Sequence, residues 1–381
     1  MTNETSTNGE DKPGGFSTLA RNLAAQEDRF RDPFGILENA IAAKTFPACT
    51  LAITLRGELV AQKALGRFTY ETSPNVNVNA ATMFDLASLT KVVATTSMAM
   101  ILYERGLLDL ETPVTAIVPE FAHNDIQRRE ITLRMLLAHS SGLPAYEKLF
   151  QRVKSAGELL QAAFSAELMT VPGTRAEYSD IGFIILGVAL ERLTDESLDA
   201  FCRREIFGPL GMGQTTFNPA LSLKNSIPPT ADDRTFRHRI IQGEVQDENA
   251  SVLGGVAGHA GLFSTAGDLA LFAHAMLSGG HSILRAPTIE VFSRREETPA
   301  GTSRALGWDT PSSPSQSGKY FSAHSFGHLG YTGTSLWIDA ERQLSITLLT
   351  NRTWPDCQNQ TIKQVRPAFH DAVVQALGKN D

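Results

Sequence analysis

The residues that could do chemistry fall in three short stretches. In the first, "FDLASLTKVVATTSMAM" (84–100), Ser88 and Lys91 stand three positions apart at the head of a long apolar run. Positions i and i+3 share a helix face, so this spacing sets the Lys91 amine beside the Ser88 hydroxyl. A cation in a first helical turn opposes the positive end of the macrodipole. Dipole and burial both lower an amine from its usual pKa of about 10.4. A lysine depressed in this way can take a proton from serine or hold a neighbouring phenol as phenolate. The alternative is an N-cap serine followed by a lysine that extends into solvent, and four residues do not decide between the two.

The second stretch, "VPGTRAEYSDIGFIILGVALERLT", uses a Pro172-Gly173-Thr174 turn to deliver Tyr178, Ser179 and Asp180 to the start of an apolar helix, 181–193. Asp180 alone is explained as the N-cap of that helix. The third, "FGHLGYTGTSLWID", leads from His328-Leu329-Gly330 into a strand. Glycines at 327, 330 and 333 suggest that another group approaches the backbone there. Read alone, His328 is as well explained by a small-residue strand crossing. Other histidines have plain readings: His139 in "LLAHSSGLP" as an imidazolium closing a helix C-terminus, and His259 in "GVAGHAGLF" as a structural hydrogen-bonding group.

In this order, S-x-x-K, Y-x-[ND] and [KH]-x-G, the stretches resemble the signature of the serine β-lactamase and penicillin-binding protein superfamily. The tyrosine motif looks more like that of the class C branch and the lactamase-like carboxylesterases. "ITLRMLLAHSSGLP" (131–144), "IFGPLGM" (206–212), "GGVAGHAGLFSTAGDLALFAHAML" (254–277) and "LGWD" (306–309) extend the resemblance from about Phe34 to Gly378. The resemblance implies that Ser88 is the nucleophile of an acyl-enzyme and that Lys91 tunes proton transfer. Tyr178 would be the proton shuttle, a phenolate base in acylation and an acid toward the leaving group. The oxyanion hole would be the backbone N–H groups of Ser88 and Tyr331, with Asp180, His328 and Gly330 in the substrate cleft and Trp308 walling the acyl pocket. Neither metal nor cofactor is implied.

Two departures bear on substrate. Asparagine usually ends the tyrosine motif, and Asp180 as a carboxylate cannot donate to a substrate amide carbonyl. Lactamases usually carry lysine at the third motif, and a neutral His328 would hold a substrate carboxylate less firmly. Both favour carboxylic esters over β-lactams or D-alanyl-D-alanine peptides. A β-lactamase or D-alanyl-D-alanine carboxypeptidase is the alternative enzyme, and a module that is acylated once and signals is the alternative of another class. No G-x-S-x-G elbow supports an α/β-hydrolase.

The elements that must position these residues read as follows. A helix from about Phe34 to Ala43 precedes strands at Cys49–Leu55 and Leu59–Leu65, joined at Arg56-Gly57. A second hairpin, Ser335–Asp339 with Leu344–Thr350, precedes a helix from about Thr361 to Leu377. Strands at both ends and helices between predict an α+β fold, one antiparallel sheet built from both termini and flanked by helices. Its α/β part covers about 21–105 and 293–381, and a mostly helical insertion covers about 106–292. The polar start, residues 1–20, reads as a disordered tail without the basic and apolar regions of a signal peptide, so the expected location is cytoplasmic.

At 381 residues the chain can bury a large core. Cys49, Cys202 and Cys357 are odd in number and far apart, which reads as buried thiols rather than a disulfide or metal framework. A net charge of -7 with no basic stripe argues against a nucleic-acid partner. No run of about 18 apolar residues predicts a membrane span. The expected partner is a small ester or amide substrate.

Overall fold

The computed structural model describes residues 19–71, 76–122 and 125–378. Most of the expected tail, residues 1–18, lies outside these. Among the described residues there are eleven strands: β1 (Ala20–Arg21), β2 (Ala48–Leu55), β3 (Glu58–Gly66), β4 (Phe84–Asp85), β5 (Thr216–Phe217), β6 (Ala231–Asp233), β7 (Arg239–Ile241), β8 (Leu262–Ser264), β9 (Phe326–Leu329), β10 (Ser335–Asp339) and β11 (Leu344–Thr350). The main sheet has the order β1-β3-β2-β11-β10-β9, antiparallel except for the β1/β3 pair. The two ends of the chain therefore meet at β2 and β11, paired from Leu55↔Leu344 to Cys49↔Thr350.

Alternation along the central strands explains how one sheet serves two cores. Cys49, Leu51 and Ile53 of β2, with Leu344, Ile346 and Leu348 of β11, face one side. There they meet helix α1 (Arg31–Ala42) through Phe34 and Leu37, and the last helix through Phe369 and Val373. The other face carries smaller and polar residues, Ala48, Ala52, Thr54 and Ser345, the last two sharing a 2.6 Å hydrogen bond. Helix Ala266–Leu277 packs on that side against β2 and β11.

Between the sheet halves the chain is mostly helical, with short strands that place the candidate site segments. β4 pairs with β8, which pairs with β5, so "FDLAS" begins at the rim of a small sheet. Ser88 does not sit at the start of a regular α-helix. It lies in a 3-10 turn, Ala87–Leu89, followed by a π-helical turn, Lys91–Thr96, before α2 (Ser97–Glu104) begins. The wider helical turn holds six buried residues, Lys91 among them. Helix α3 (Asp180–Thr194) carries the second stretch, and α4 (Ile362–Gly378) closes the chain.

Candidate active site

The three stretches converge. Tyr178 Oη donates to Ser88 Oγ at 2.7 Å, and Lys91 Nζ donates to the same oxygen at 3.0 Å. Lys91 Nζ also reaches Asp180 Oδ1 at 2.6 Å and the His259 carbonyl at 3.0 Å. An ammonium has three N–H donors, and these three acceptors use them all. The lysine is fully buried, so it does not extend to solvent. Burial lowers its proton affinity, Asp180 pulls the other way, and Arg304 adds to the lowering. Desolvation is the largest cause of the lowering.

The turn that presents Ser88 is held on several sides. Ala87 adopts φ +47°, a left-handed conformation that an alanine seldom takes. Its N–H donates to Asp85 Oδ1 at 2.8 Å, and Asp85 Oδ2 accepts from the Gln246 N–H at 2.7 Å. Burial, outweighing those two bonds, raises the Asp85 carboxyl to about 6. From the other side Thr332 Oγ1 donates to the Asp85 carbonyl and Thr334 Oγ1 to the Leu86 carbonyl, at 2.8 and 3.0 Å. The turn after β9 is thereby fastened to the Ser88 segment. Gly330 must be glycine there, since a Cβ would stand 1.9 Å from Thr334 Oγ1 and 2.5 Å from the Leu86 carbonyl.

Several expectations need correction. Ser179, not Asp180, caps α3: its Oγ accepts from the Gly182 N–H at 3.0 Å, which leaves the Asp180 carboxylate for Lys91. Tyr178 rests as a phenol and not a phenolate, because burial and then Asp180 raise it well above its usual value. His139 is not an imidazolium. Burial and nearby Arg304 and Lys91 hold it well below its usual pKa, and its Nδ1 accepts from the Ser179 N–H at 3.0 Å. His259 makes a hydrogen bond with Asp247 Oδ1 at 2.8 Å, while its carbonyl holds Lys91. Trp308 lies in the core, 1 % exposed, between Phe272 and Phe326, with ring centroids at 6.3 and 5.0 Å. A pocket wall needs a face open to substrate, and Trp308 has none. Cys49 and Cys202 are buried, whereas Cys357 is half-buried.

His328 stands beside Tyr178, ring centroids 6.0 Å apart, and is neutral because burial, Lys91 and Arg304 all disfavour its charge. Its Nδ1 hydrogen-bonds the Leu329 carbonyl at 2.8 Å, so the proton sits on Nδ1. Tyr331 is half exposed. Sequence reasoning passed over Arg304, whose guanidinium lies 5.6 Å from the Tyr178 ring centroid. Its signal was a single basic residue in "TSRALGWD", just ahead of a stretch already singled out. Among the described residues no cluster of His, Cys, Asp and Glu is arranged to hold a metal, and no helix is long and apolar enough to cross a membrane.

The Beta-lactamase family model matches residues 35–365. The chain belongs to the beta-lactamase family. Among curated relatives, an N-acetylmuramyl-L-alanine amidase of Bacillus subtilis (strain 168) is 33 % identical, over 83 % of this chain and 79 % of the relative. A protein of Escherichia coli (strain K12) named "Putative D-alanyl-D-alanine carboxypeptidase" is 31 % identical, over 81 % and 79 %. Among solved structures, EstCE1, a hydrolase with promiscuous acyltransferase activity, superposes with a TM-score of 0.76 at 18 % identity, covering 92 % of this chain and 99 % of EstCE1. A penicillin-binding protein homologue from Caulobacter crescentus gives 0.73 at 17 %, covering 92 % and 98 %. The structural likenesses bear out the expected β-lactamase-like α+β fold. This family member is thus a serine β-lactamase-fold hydrolase.

Proposed function

We propose that this beta-lactamase family member forms an acyl-enzyme on Ser88 and hydrolyses carboxylic esters. The observation that carries the reading is the Ser88 Oγ held at once by the Tyr178 phenol and the Lys91 ammonium, at 2.7 and 3.0 Å. In acylation Ser88 Oγ attacks the ester carbonyl and its proton passes to the Tyr178 oxygen. Tyr178 hands its own phenol proton to the leaving alkoxide as the C–O bond breaks, so no free phenolate is needed. Water then attacks the acyl carbon, and its proton returns through Tyr178 to Ser88 Oγ as the acid leaves. Lys91 stays paired with Asp180 and stabilises negative charge on the Ser88 and Tyr178 oxygens. The developing oxyanion is assigned to the N–H groups of Ser88 and Tyr331.

Asp180 supports an ester over an amide. Its carboxylate is engaged by Lys91 and has no N–H to offer an amide carbonyl. The second reading is cleavage of an amide or peptide that carries a carboxylate, favoured by the position of Arg304 and by the names of the amidase and carboxypeptidase relatives. The test is a parallel assay of p-nitrophenyl esters of graded chain length, nitrocefin and a D-alanyl-D-alanine peptide, on wild type and Ser88→Ala. Multiple turnovers of esters, lost in Ser88→Ala, are expected. Faster cleavage of nitrocefin or the peptide than of any ester overturns the ester assignment. A one-equivalent burst without turnover overturns the hydrolytic reading in favour of a sensor.

A further inference from the structure

Arg366 interrupts the buried stripe of α4. Ile362, Phe369 and Val373 line the face that packs on the sheet, and the i, i+4, i+7 spacing calls for an apolar residue at 366. A guanidinium stands there instead, 5 % exposed. Burying one is costly unless its N–H groups are met. Those of Nε and Nη2 are met by main-chain carbonyls of the turn after β9. Nη2 donates to the Gly330 carbonyl at 2.9 Å and to the Thr334 carbonyl at 3.2 Å, and Nε donates to the Gly333 carbonyl at 3.2 Å.

The Gly330 contact matters most, because that carbonyl belongs to the same peptide unit as the Tyr331 N–H. In a trans peptide the C=O and the following N–H point in opposite directions. A Gly330 carbonyl drawn to Arg366 therefore turns the Tyr331 N–H away from α4. The next peptide is fixed in like manner: Arg352 Nε donates to the Tyr331 carbonyl at 2.8 Å, and its guanidinium lies 4.6 Å from the Tyr331 ring centroid. Both carbonyls that flank Tyr331 are thus held by arginines, while Thr332 and Thr334 fasten the same turn to the Asp85 and Leu86 carbonyls.

We propose that Arg366 is a positioning residue that locks the Gly330–Tyr331 peptide with its N–H turned toward Ser88, so that a helix on the far side of the sheet sets one half of the oxyanion hole. Without the arginine the Gly330 carbonyl keeps only the Gly333 N–H, at 3.0 Å, and the loosened peptide can rotate to present its carbonyl, a partial negative charge, where the N–H stood. Substrate binding, which precedes charge development, is little affected. The proposal rests on the assignment of Ser88 and Tyr331 in the preceding section.

The test compares Arg366→Met and Arg366→Lys with wild type in ester turnover and in inhibition by benzeneboronic acid, whose tetrahedral serine adduct places an oxygen in the oxyanion position. Arg366→Met is expected to lower kcat roughly 10- to 100-fold and to weaken the boronate by a similar factor, with KM within about threefold of wild type. Arg366→Lys, which keeps the charge and can reach one carbonyl, is expected to recover part of both. An arginine that only staples α4 to the sheet would lower thermal stability and leave kcat and the boronate affinity of the folded protein unchanged, which overturns the proposal. If Arg366→Met does not fold, Arg366→Lys decides, and wild-type values of kcat and boronate affinity in that variant overturn it equally. Ser88→Ala separates the two layers. Loss of both turnover and boronate binding upholds the assignment of the nucleophile whatever Arg366 does, and surviving turnover overturns that assignment and the Arg366 proposal that rests on it.

Discussion

Two buried ion pairs in this molecule have similar ingredients and opposite uses. Asp233 ends β6 and Arg237 follows in the turn beyond it, with side chains 5 % and 7 % exposed. Asp233 accepts from the N–H groups of Thr235, Phe236 and Arg237 and from Arg237 Nε, and Arg237 donates onward to the Val245 and Gln246 carbonyls. Every one of those groups keeps its proton throughout. The Lys91–Asp180 pair lies beside two hydroxyls, Ser88 Oγ and Tyr178 Oη, that are hydrogen-bonded to each other. A buried charge fixed by main-chain groups is a staple. The same charge fixed against movable protons can serve as a catalytic device.

Replacing the cation in each pair should separate the two uses. Lys91→Met should lower ester turnover by about 10³-fold or more, with a smaller loss of stability than its counterpart, since Asp180 reaches solvent. Arg237→Met should cost roughly 3–5 kcal/mol of unfolding free energy by leaving Asp233 buried beside carbonyls that have lost their donor. Its folded fraction should still turn over ester. Urea unfolding and steady-state kinetics on both variants decide, and equal losses of activity would erase the contrast. Tyr178→Phe, which keeps the ring and removes the proton carrier, should reduce kcat by about 10²- to 10⁴-fold with little change in unfolding temperature.

The pH dependence should divide in the same way. Burial works to raise the Asp233 carboxyl, but its N–H donors and Arg237 outweigh burial and hold it below the usual carboxylate range. A folded-state pKa below the unfolded one contributes stability that is present above the unfolded pKa, near 3.9, and is lost as pH falls through the folded value. The stability difference between wild type and Asp233→Asn should therefore be largest at neutral pH and shrink below about pH 4; a difference independent of pH would contradict the staple. The smallest expected effect is at Arg304. Arg304→Ala should raise KM about tenfold for carboxylate-bearing esters and leave neutral esters nearly unchanged, and an equal effect on both would remove Arg304 from substrate recognition.

The candidate site residues stood out in the sequence because their chemistry is local in type and fixed in order. Ser88 and Lys91 are three residues apart, and the turn before Tyr178 and the glycines about His328 mark themselves. The hairpins were legible too, since β2 and β3, or β10 and β11, alternate with a period of two between short turns. The role of Asp180 was not legible. Ser179 and Asp180 are both good helix caps by composition, and the choice between them is made by a lysine 89 positions away. Trp308 misled for a related reason: an aromatic residue near a motif can line a cleft or fill a core, and the rings of Phe272 and Phe326 decide for the core.

By itself, then, the sequence determined which side chains can exchange protons or offer a nucleophilic oxygen, in what order they occur, and which segments alternate into strands or repeat as helices. These are properties of neighbouring residues, set by local stereochemistry and periodicity. The tertiary structure alone decided their charge states and aim. Lys91 loses proton affinity because the fold buries it, Tyr178 remains a phenol because burial and Asp180 oppose its ionisation, and the Gly330 carbonyl turns toward an arginine 36 positions further on. Desolvation and hydrogen-bond geometry depend on what the chain brings from far away, and no short stretch of residues contains that information.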